Sequence, residues 1–188
     1  MNEQEIMLKE YEELRSEIEQ KIGIQNSLIT FMITAVIAVL AFALEGNNSI
    51  LYLLPFGIII PTSMRITYYR TAMARISAYI VVYIEKYIQG LNWETRIHKF
   101  VYNGGNTLHD NVTISQYYEG IILSLMCYLL YIFDFIKNKA ISFQVIIFAV
   151  FPVLFVIWEI IITIRIAGFT KERDFWIEQW ETFKKCNQ

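Results

Sequence analysis

The sequence predicts an all-α integral membrane protein, with four transmembrane helices in two hairpins and helical cytoplasmic extensions. Three observations predict this fold. The 188-residue chain is 55% hydrophobic and only 18% charged, whereas soluble domains average about 25% charged residues. It contains four long apolar runs. Short polar links join these runs in pairs, and each run is continuous rather than alternating, which favours helices over β-barrel strands.

The four apolar runs have lengths near those needed to cross a bilayer, because about 20 helical residues cover a hydrocarbon core of about 30 Å. The runs are 28–44, 50–64, 120–136 and 143–164. Turn-forming residues Gly46, Asn47 and Asn48 fill the first link, and the second link covers 138–142. These links predict the two hairpins.

The positive charges predict the orientation of the spans. Fourteen of the sixteen Lys and Arg residues lie before the first run, between the second and third runs, or after the fourth, and only Lys137 and Lys139 lie between the third and fourth runs. We therefore expect a multi-pass protein of the bacterial inner membrane with both termini in the cytoplasm. The expected segments are an N-terminal amphipathic helix (1–27), hairpin one (28–64), a cytoplasmic helical segment (65–116), hairpin two (117–166) and a C-terminal amphipathic helix (167–188).

The N-terminal segment has an apolar stripe at helical spacing, formed by Met7, Tyr11, Leu14, Ile18 and Ile22. We expect this helix to continue into the first span without a break. Its stripe fits either packing on its own protein or docking of a partner or second copy.

The middle segment should continue the second span as a helix as far as Gly90, which would cap it. Its Ile and Tyr stripe must be buried against another helix, the membrane surface or a second subunit. A short helix should follow near Trp93, then a turn at Gly104 and Gly105. Thr113 with Gln116 resembles a capping box that starts span three.

Several polar and aromatic residues outside the runs are candidates for contacts. Arg65, Arg70 and Arg75 should lie at the inner membrane surface and touch lipid headgroups. The C-terminal helix should either lie on the membrane surface or pack against other cytoplasmic helices. The candidate cytoplasmic interaction surface consists of Trp93, Glu94, Arg96, Trp176 and Trp180.

Glu159 is the most conspicuous single residue, because a carboxylate inside a span is a functional-site hypothesis by default. It would face the bundle interior or a pore, with Arg65 or Arg165 as its partner. If span four instead ends at Trp158, Glu159 lies among headgroups. Asp134, the second candidate polar site, should form a local ion pair with Lys137 near the outer end of span three.

Composition and motifs exclude several classes of function. A net charge of −2 does not predict nucleic-acid binding. Cys127 and Cys186, like His98 and His109, lack the spacing of a metal site, and no motif for a nucleotide or other cofactor is present. We therefore predict a non-enzymatic protein without cofactors. A paired-carboxylate site at Glu85 and Glu94 remains the enzymatic alternative.

Three stretches of the sequence carry a resemblance to small bacterial membrane proteins. They are Tyr11-Glu12-Glu13-Leu14-Arg15-Ser16-Glu17-Ile18, Arg75-Ile76-Ser77-Ala78-Tyr79-Ile80 and Leu91-Asn92-Trp93-Glu94-Thr95-Arg96. The architecture is similar to membrane effectors of anti-phage defence systems of CRISPR-associated, cyclic-nucleotide and Kiwa type. The resemblance implies a homo-oligomer that perturbs or gates the inner membrane after a cytoplasmic signal. The alternatives are a scaffold that tethers a cytoplasmic protein and a membrane-embedded enzyme acting on lipid.

Overall fold

The computed structural model describes residues 3–46, 48–88, 90–104, 107–137, 150–167 and 169–186. Within these ranges the chain forms helices and no strand, so the all-α prediction is confirmed. The elements are α1 (Glu3–Glu45), a 3₁₀ helix (Ser49–Leu53), α2 (Phe56–Tyr79), a π-helical turn (Ile80–Ile84), α3 (Trp93–Gly104), α4 (Thr107–Lys137), α5 (Val153–Ala167) and α6 (Phe169–Cys186).

These elements form two compact units. The polar unit comprises Met1–Gln25, Tyr68–Thr113 and Gly168–Gln188, and the apolar unit comprises Asn26–Thr67 and Ile114–Ala167. Three chain segments therefore build the polar unit and two build the apolar unit. Helices α1, α2 and α4 each contribute residues to both.

Helix α1 is continuous over 43 residues, which confirms that the N-terminal helix runs on into the first apolar run. It contains no proline, and Glu3 and Glu5 lie in its first turn. Negative side chains at this end interact favourably with the helix dipole and stabilise the helix. A single glycine, Gly23, costs only about 1 kcal/mol in a helix of this length.

Three helical stretches have the length and composition to cross a membrane. They are Glu3–Glu45, Ser49–Ile84 and Tyr118–Lys137. The fourth predicted span falls partly outside the described residues, because 138–149 contain its predicted link and the first part of its run, 143–149. Helix α5 covers the run from Val153 to its end at residue 164.

The core of the apolar unit draws side chains from every helix of that unit. Val36 of α1, Ile59 of α2 and Cys127 of α4 are all fully buried. Phe56 stacks on Phe155 of α5 with ring centroids 5.4 Å apart. The helices therefore enclose a common interior, while many of their other apolar side chains face outward.

The core of the polar unit contains Ile18 of α1 with Met73, Ile80 and Ile84. Tyr11 and Leu14, among others, pack against this cluster. The predicted N-terminal stripe thus packs on its own chain, and so does the Ile and Tyr stripe of the middle segment. Ile22, at the end of the N-terminal stripe, is 45% exposed.

Two predicted helix boundaries are wrong. Regular α-helix ends at Tyr79 rather than continuing to Gly90, because the next five residues form a π-helical turn in which the Glu85 amide donates to the Ile80 carbonyl at 2.9 Å. Gly90 itself has a φ of 93°, which suits a residue that reverses the chain.

Helix α4 also starts earlier than predicted. It begins at Thr107, so Thr113 and Gln116 lie within the helix and do not form a capping box at its start. No proline or glycine between Thr107 and Gln116 interrupts the helix. Gly104, predicted as part of a turn, is the last residue of α3.

Candidate functional site

Glu159 of α5 lies in the interior of the apolar unit, where its side chain is 1% exposed. The hydroxyl of Ser63, on α2, donates a hydrogen bond of 2.5 Å to Glu159 Oε1. The second oxygen, Oε2, is buried and has no hydrogen-bond partner among the described residues. The carboxyl group is therefore only half satisfied.

A glycine on α4 provides the space that Glu159 occupies. A Cβ atom added at Gly120 would clash with Glu159 Oε1 and lie 3.0 Å from Ser63 Oγ. Only glycine leaves this approach open without a shift of the neighbouring side chains. Three helices thus position the group: α5 carries the carboxylate, α2 donates the hydrogen bond, and α4 makes room.

Two hydroxyl groups next to this site are also buried without a partner. Thr163 lies one helical turn after Glu159, and Ser124 lies one turn after Gly120. Their side chains are 2% and 0% exposed, and neither oxygen has a hydrogen-bond partner in the described part of the chain.

These two hydroxyls differ from threonines in two other helices, α1 and α2. Thr34 donates to the Thr30 carbonyl of its own helix at 2.9 Å, and Thr67 donates to the Ser63 carbonyl at 2.9 Å. Such back-bonding is the ordinary way in which a helical hydroxyl is satisfied in an apolar environment. Thr163 and Ser124 instead keep their hydrogen-bonding capacity available to the interior.

A second acidic residue, on α4, also has a buried carboxyl oxygen. Glu119 precedes Gly120 on α4, and its Oε2 is buried without a hydrogen-bond partner among the residues that the structure describes. Sequence reasoning missed Ser63, Gly120, Ser124, Thr163 and Glu119. The helical spacing of Glu159 with Thr163 and of Gly120 with Ser124 was the available signal.

The arrangement sets limits on the chemistry of Glu159. A buried carboxylate with an open oxygen is costly to keep charged. A proton or a bound cation would offset this cost, and carboxylate oxygens can bind either. Within the described residues no group of three or more His, Cys, Asp or Glu side chains could hold a metal ion.

The predicted partners of Glu159 are wrong. Ser63 rather than Arg65 or Arg165 contacts the carboxylate, and both arginines are exposed. A long guanidinium side chain on the surface keeps its hydration, which a buried ion pair would remove. The prediction that Glu159 faces the interior fits this position, and its depth in the membrane stays a prediction.

Asp134, the second predicted polar site, lies on α4 in the apolar unit. Its Oδ2 accepts a hydrogen bond of 2.6 Å from Ser49 Oγ, at the start of the 3₁₀ helix. This bond ties the third candidate span to the segment that opens the second. An ion pair between Asp134 and Lys137 stays a prediction.

Two more buried carboxylates lie together in the polar unit. Glu85 follows the π-helical turn, and its oxygens accept hydrogen bonds from the Glu94 amide at 2.7 Å, the Thr95 amide at 3.2 Å and Thr95 Oγ1 at 2.5 Å. A carboxylate at this position satisfies the free amides at the start of α3 and complements the helix dipole. Glu85 therefore acts as an N-terminal cap for α3, although it lies outside that helix.

Glu94 is held from two sides. Arg15 Nη1 of α1 contacts Glu94 Oε1 at 2.8 Å, and Ser77 Oγ of α2 donates to Oε2 at 2.7 Å. Arg173 of α6 reaches the Glu94 carbonyl at 3.4 Å. Glu94 therefore joins all three segments of the polar unit.

The residues of the predicted interaction surface do not share one environment in the structure. Trp180 packs edge-to-face against Tyr79 and Tyr83, with centroids 5.4 and 6.0 Å apart. Arg75 lies 4.4 Å from the ring centre of Trp176, a cation–π distance. Both tryptophans pack within the polar unit. Of the two interpretations of the C-terminal helix, packing against other helices fits these contacts.

The remaining predicted residues have different surroundings. Trp93 is 52% exposed and Arg96 is also exposed, so these two face outward on α3. Arg65 is exposed and Arg70 is half-buried. Headgroup contacts of Arg65 and Arg70 stay a prediction.

Comparisons of the chain with protein-family models, curated proteins and solved structures find no match. The class of protein is thus defined by the helices and the site alone: an all-α chain with three helical stretches able to cross a membrane and a half-satisfied buried carboxylate among them.

Proposed function

We propose that the chain is a four-span protein of the bacterial inner membrane, arranged in two hairpins with both termini in the cytoplasm. In this proposal several copies assemble and gate the permeability of the membrane to ions. Glu159 is the group that binds the permeating proton or cation. The protein is non-enzymatic, and its gating follows a cytoplasmic signal, as in a membrane effector of anti-phage defence.

One observation carries the proposal: the open oxygen of Glu159 inside the apolar unit. Unpaired carboxyl groups within membrane helices are rare, costly and associated with ion or proton pathways. The buried hydroxyls of Ser124 and Thr163 add oxygen atoms of the kind that line such pathways.

The burial of Glu159 supports a gated rather than an open pathway. Its side chain is 1% exposed, so an ion reaches it only after a change in the packing of α2, α4 and α5. A second copy or a signal acting on the polar unit would supply this change. Outward-facing apolar side chains such as Phe133, which is 73% exposed, are available to lipid or to another copy.

The first experiment measures ion flux through the purified protein in liposomes, with a pH-sensitive dye inside and an imposed potassium gradient. We expect wild-type protein to collapse the gradient slowly through spontaneous openings in the absence of the signal, and Glu159→Gln to lose most of this flux. Glu45→Gln is the matched control, because Glu45 is an exposed carboxylate at the end of α1, and it should keep the flux. Equal flux for wild type and Glu159→Gln would reject the role of Glu159.

Expression in cells tests the activity without reconstitution. A potential-sensitive dye should report depolarisation by wild type and by Glu45→Gln, but not by Glu159→Gln. Light scattering in a mild detergent, with the detergent subtracted, should give a mass of several copies. A strict monomer that leaves both liposomes and cells unchanged would contradict the gating proposal.

A tethering scaffold is the second candidate, and the outer side of α6 favours it. Phe175 and Phe183 are 51% and 57% exposed, so they are available to a cytoplasmic protein. In this case Glu159→Gln keeps full activity in the cell, and a double Phe175→Ala, Phe183→Ala variant loses it. Trp176 and Trp180 are poor test positions, because their loss would damage the packing of the polar unit.

A further inference from the structure

Helix α3 carries an outward apolar stripe. Trp93 and Ile97 lie one turn apart and are 52% and 40% exposed. Arg96 and Lys99, on the same helix, are also exposed. Helices that lie in the interface between water and a bilayer typically combine exposed apolar side chains such as Trp and Ile with neighbouring basic side chains.

The charge of this outer face is positive for a structural reason. Glu94 is the one acidic residue in the sequence of α3. It is 7% exposed and paired with Arg15, so its charge is directed inward and neutralised. Among the described side chains, α3 presents only basic charges to its surroundings.

Helix α3 precedes a candidate span in the sequence. It ends at Gly104, and the third candidate span begins at Tyr118.

The composition of the stripe favours lipid over a protein partner. Among its described side chains, Trp93 and Ile97 provide much less than the area of about 800 Å² that each side of a stable protein interface buries. Insertion of a Trp and an Ile among headgroups needs no larger surface, and Trp is enriched at that depth.

We propose that α3 is an interfacial helix that binds the anionic inner leaflet. Trp93 and Ile97 insert at the level of the headgroups, and Arg96 and Lys99 contact the phosphate groups of anionic lipids. This inference rests on the proposed membrane location, but it does not depend on any ion-binding role of Glu159.

The test measures the depth of a spin label attached at Ile97→Cys. The native cysteines are replaced by Cys127→Ala and Cys186→Ser, so that only residue 97 is labelled. The protein is reconstituted into liposomes of phosphatidylcholine with or without phosphatidylglycerol. Collision rates with oxygen and with a water-soluble nickel complex then give the depth of the label. Labels at Phe133→Cys, an outward position of the candidate span, and at Thr182→Cys, an exposed position of α6, are the lipid and water references.

We expect the label at residue 97 to be shielded from nickel and accessible to oxygen when phosphatidylglycerol is present. The additional changes Arg96→Glu and Lys99→Glu should return the label to water. Each basic residue near an anionic surface contributes about a factor of five to binding. The equilibrium between membrane-bound and water-exposed α3 should therefore shift by about 30-fold or more toward water.

Two results would overturn the inference. A label open to nickel in both lipid mixtures would place α3 in water, and a label shielded from both reagents and immobilised would indicate a protein contact. The reference label at residue 133 keeps the test independent of the proposed function. If residue 133 is in lipid and residue 97 is not, the interfacial helix is wrong although the membrane location holds.

Discussion

The polar and apolar units both bury carboxylates, but the two units treat them differently. In the polar unit each oxygen of Glu85 and Glu94 accepts at least one hydrogen bond, and Arg15 neutralises Glu94. In the apolar unit Glu159 has one hydrogen bond from Ser63, and its other oxygen is open. Saturated groups hold a structure together, whereas an unsaturated one keeps capacity for a ligand.

The comparison predicts that the two sites respond oppositely to neutralisation. Glu94→Ala should destabilise the protein by about 2–3 kcal/mol, because it leaves Arg15 and Ser77 without their partner. The loss should be below that of a fully buried pair, since the Arg15 side chain is 29% exposed. Glu159→Gln should leave the thermal unfolding temperature unchanged or raised, because a neutral amide is cheaper to bury than an open carboxylate.

Thermal unfolding in detergent, followed by circular dichroism, measures both variants. Glu19→Ala is the control, because Glu19 is exposed on α1 and its loss should change little. A larger destabilisation by Glu159→Gln than by Glu94→Ala would reverse the comparison.

Gly120→Ala should destabilise the protein by about 2 kcal/mol, because the added methyl group clashes with Glu159 and Ser63 in a filled interior. Gly57→Ala is the matched control. A Cβ there has no neighbour within 4 Å, so the better helix propensity of alanine should make it neutral or stabilising.

A double variant sharpens this test. Combining Gly120→Ala with Glu159→Ala removes the side chain that clashes with the added methyl group. The destabilisation of the double variant should therefore be smaller than the sum of the destabilisations of the two single variants. Strict additivity would show that Gly120 serves some other contact.

Glu85→Ala should cost about 1–2 kcal/mol, which is the usual effect of losing a helix cap. The effect should concentrate at the start of α3, because Glu94 and Thr95 donate their amides to Glu85. Hydrogen exchange should therefore accelerate at these two amides, while Glu85→Gln, which keeps an acceptor oxygen, should show a smaller change. Uniform acceleration across the polar unit would contradict a local cap.

The smallest expected effect involves the exposed pair of Lys86 and Glu181, whose Nζ and Oε1 atoms are 2.7 Å apart. The hydrogen bond and charge of Lys86 lower the pKa of Glu181 below its usual 4.5. The pair therefore contributes stability above the unfolded-state pKa and loses it as the pH falls through the lower folded pKa. The contribution should be a few tenths of a kcal/mol, because both side chains are exposed.

Nuclear magnetic resonance titration of labelled glutamate carbons checks this prediction. The pKa of Glu181 should rise toward its usual value in Lys86→Gln. An unchanged titration in that variant would show that Lys86 is not the cause.

Local features of the fold were predictable from the sequence. The length of α1 follows from the absence of proline, and the short helix predicted near Trp93 is α3. The start of α4 was not predictable in the same way. Thr113 and Gln116 have the residue types and spacing of a capping box, but the helix begins six residues earlier, at Thr107. Propensity alone does not distinguish a capping threonine from an internal one.

The site was predictable only in part. A carboxylate in an apolar run marked Glu159, but its partner depends on how three helices meet. Ser63 and Glu159 are 96 residues apart in the chain, and Arg15 and Glu94 are 79 apart. No local pattern encodes such pairs, so the sequence points to an arginine at similar depth where the structure has a serine.

The π-helical turn at Ile80–Ile84 makes the polar unit sensitive to the length of one segment. Its hydrogen bond from the Glu85 amide to the Ile80 carbonyl accommodates one residue more than an α-helix would. If the same residues wound as an ordinary α-helix, Glu85 would be rotated by about 100° from its present position. The start of α3 would then lose its carboxylate, although every side chain of the cap would still be encoded. In this segment the number of residues carries information that their identities do not.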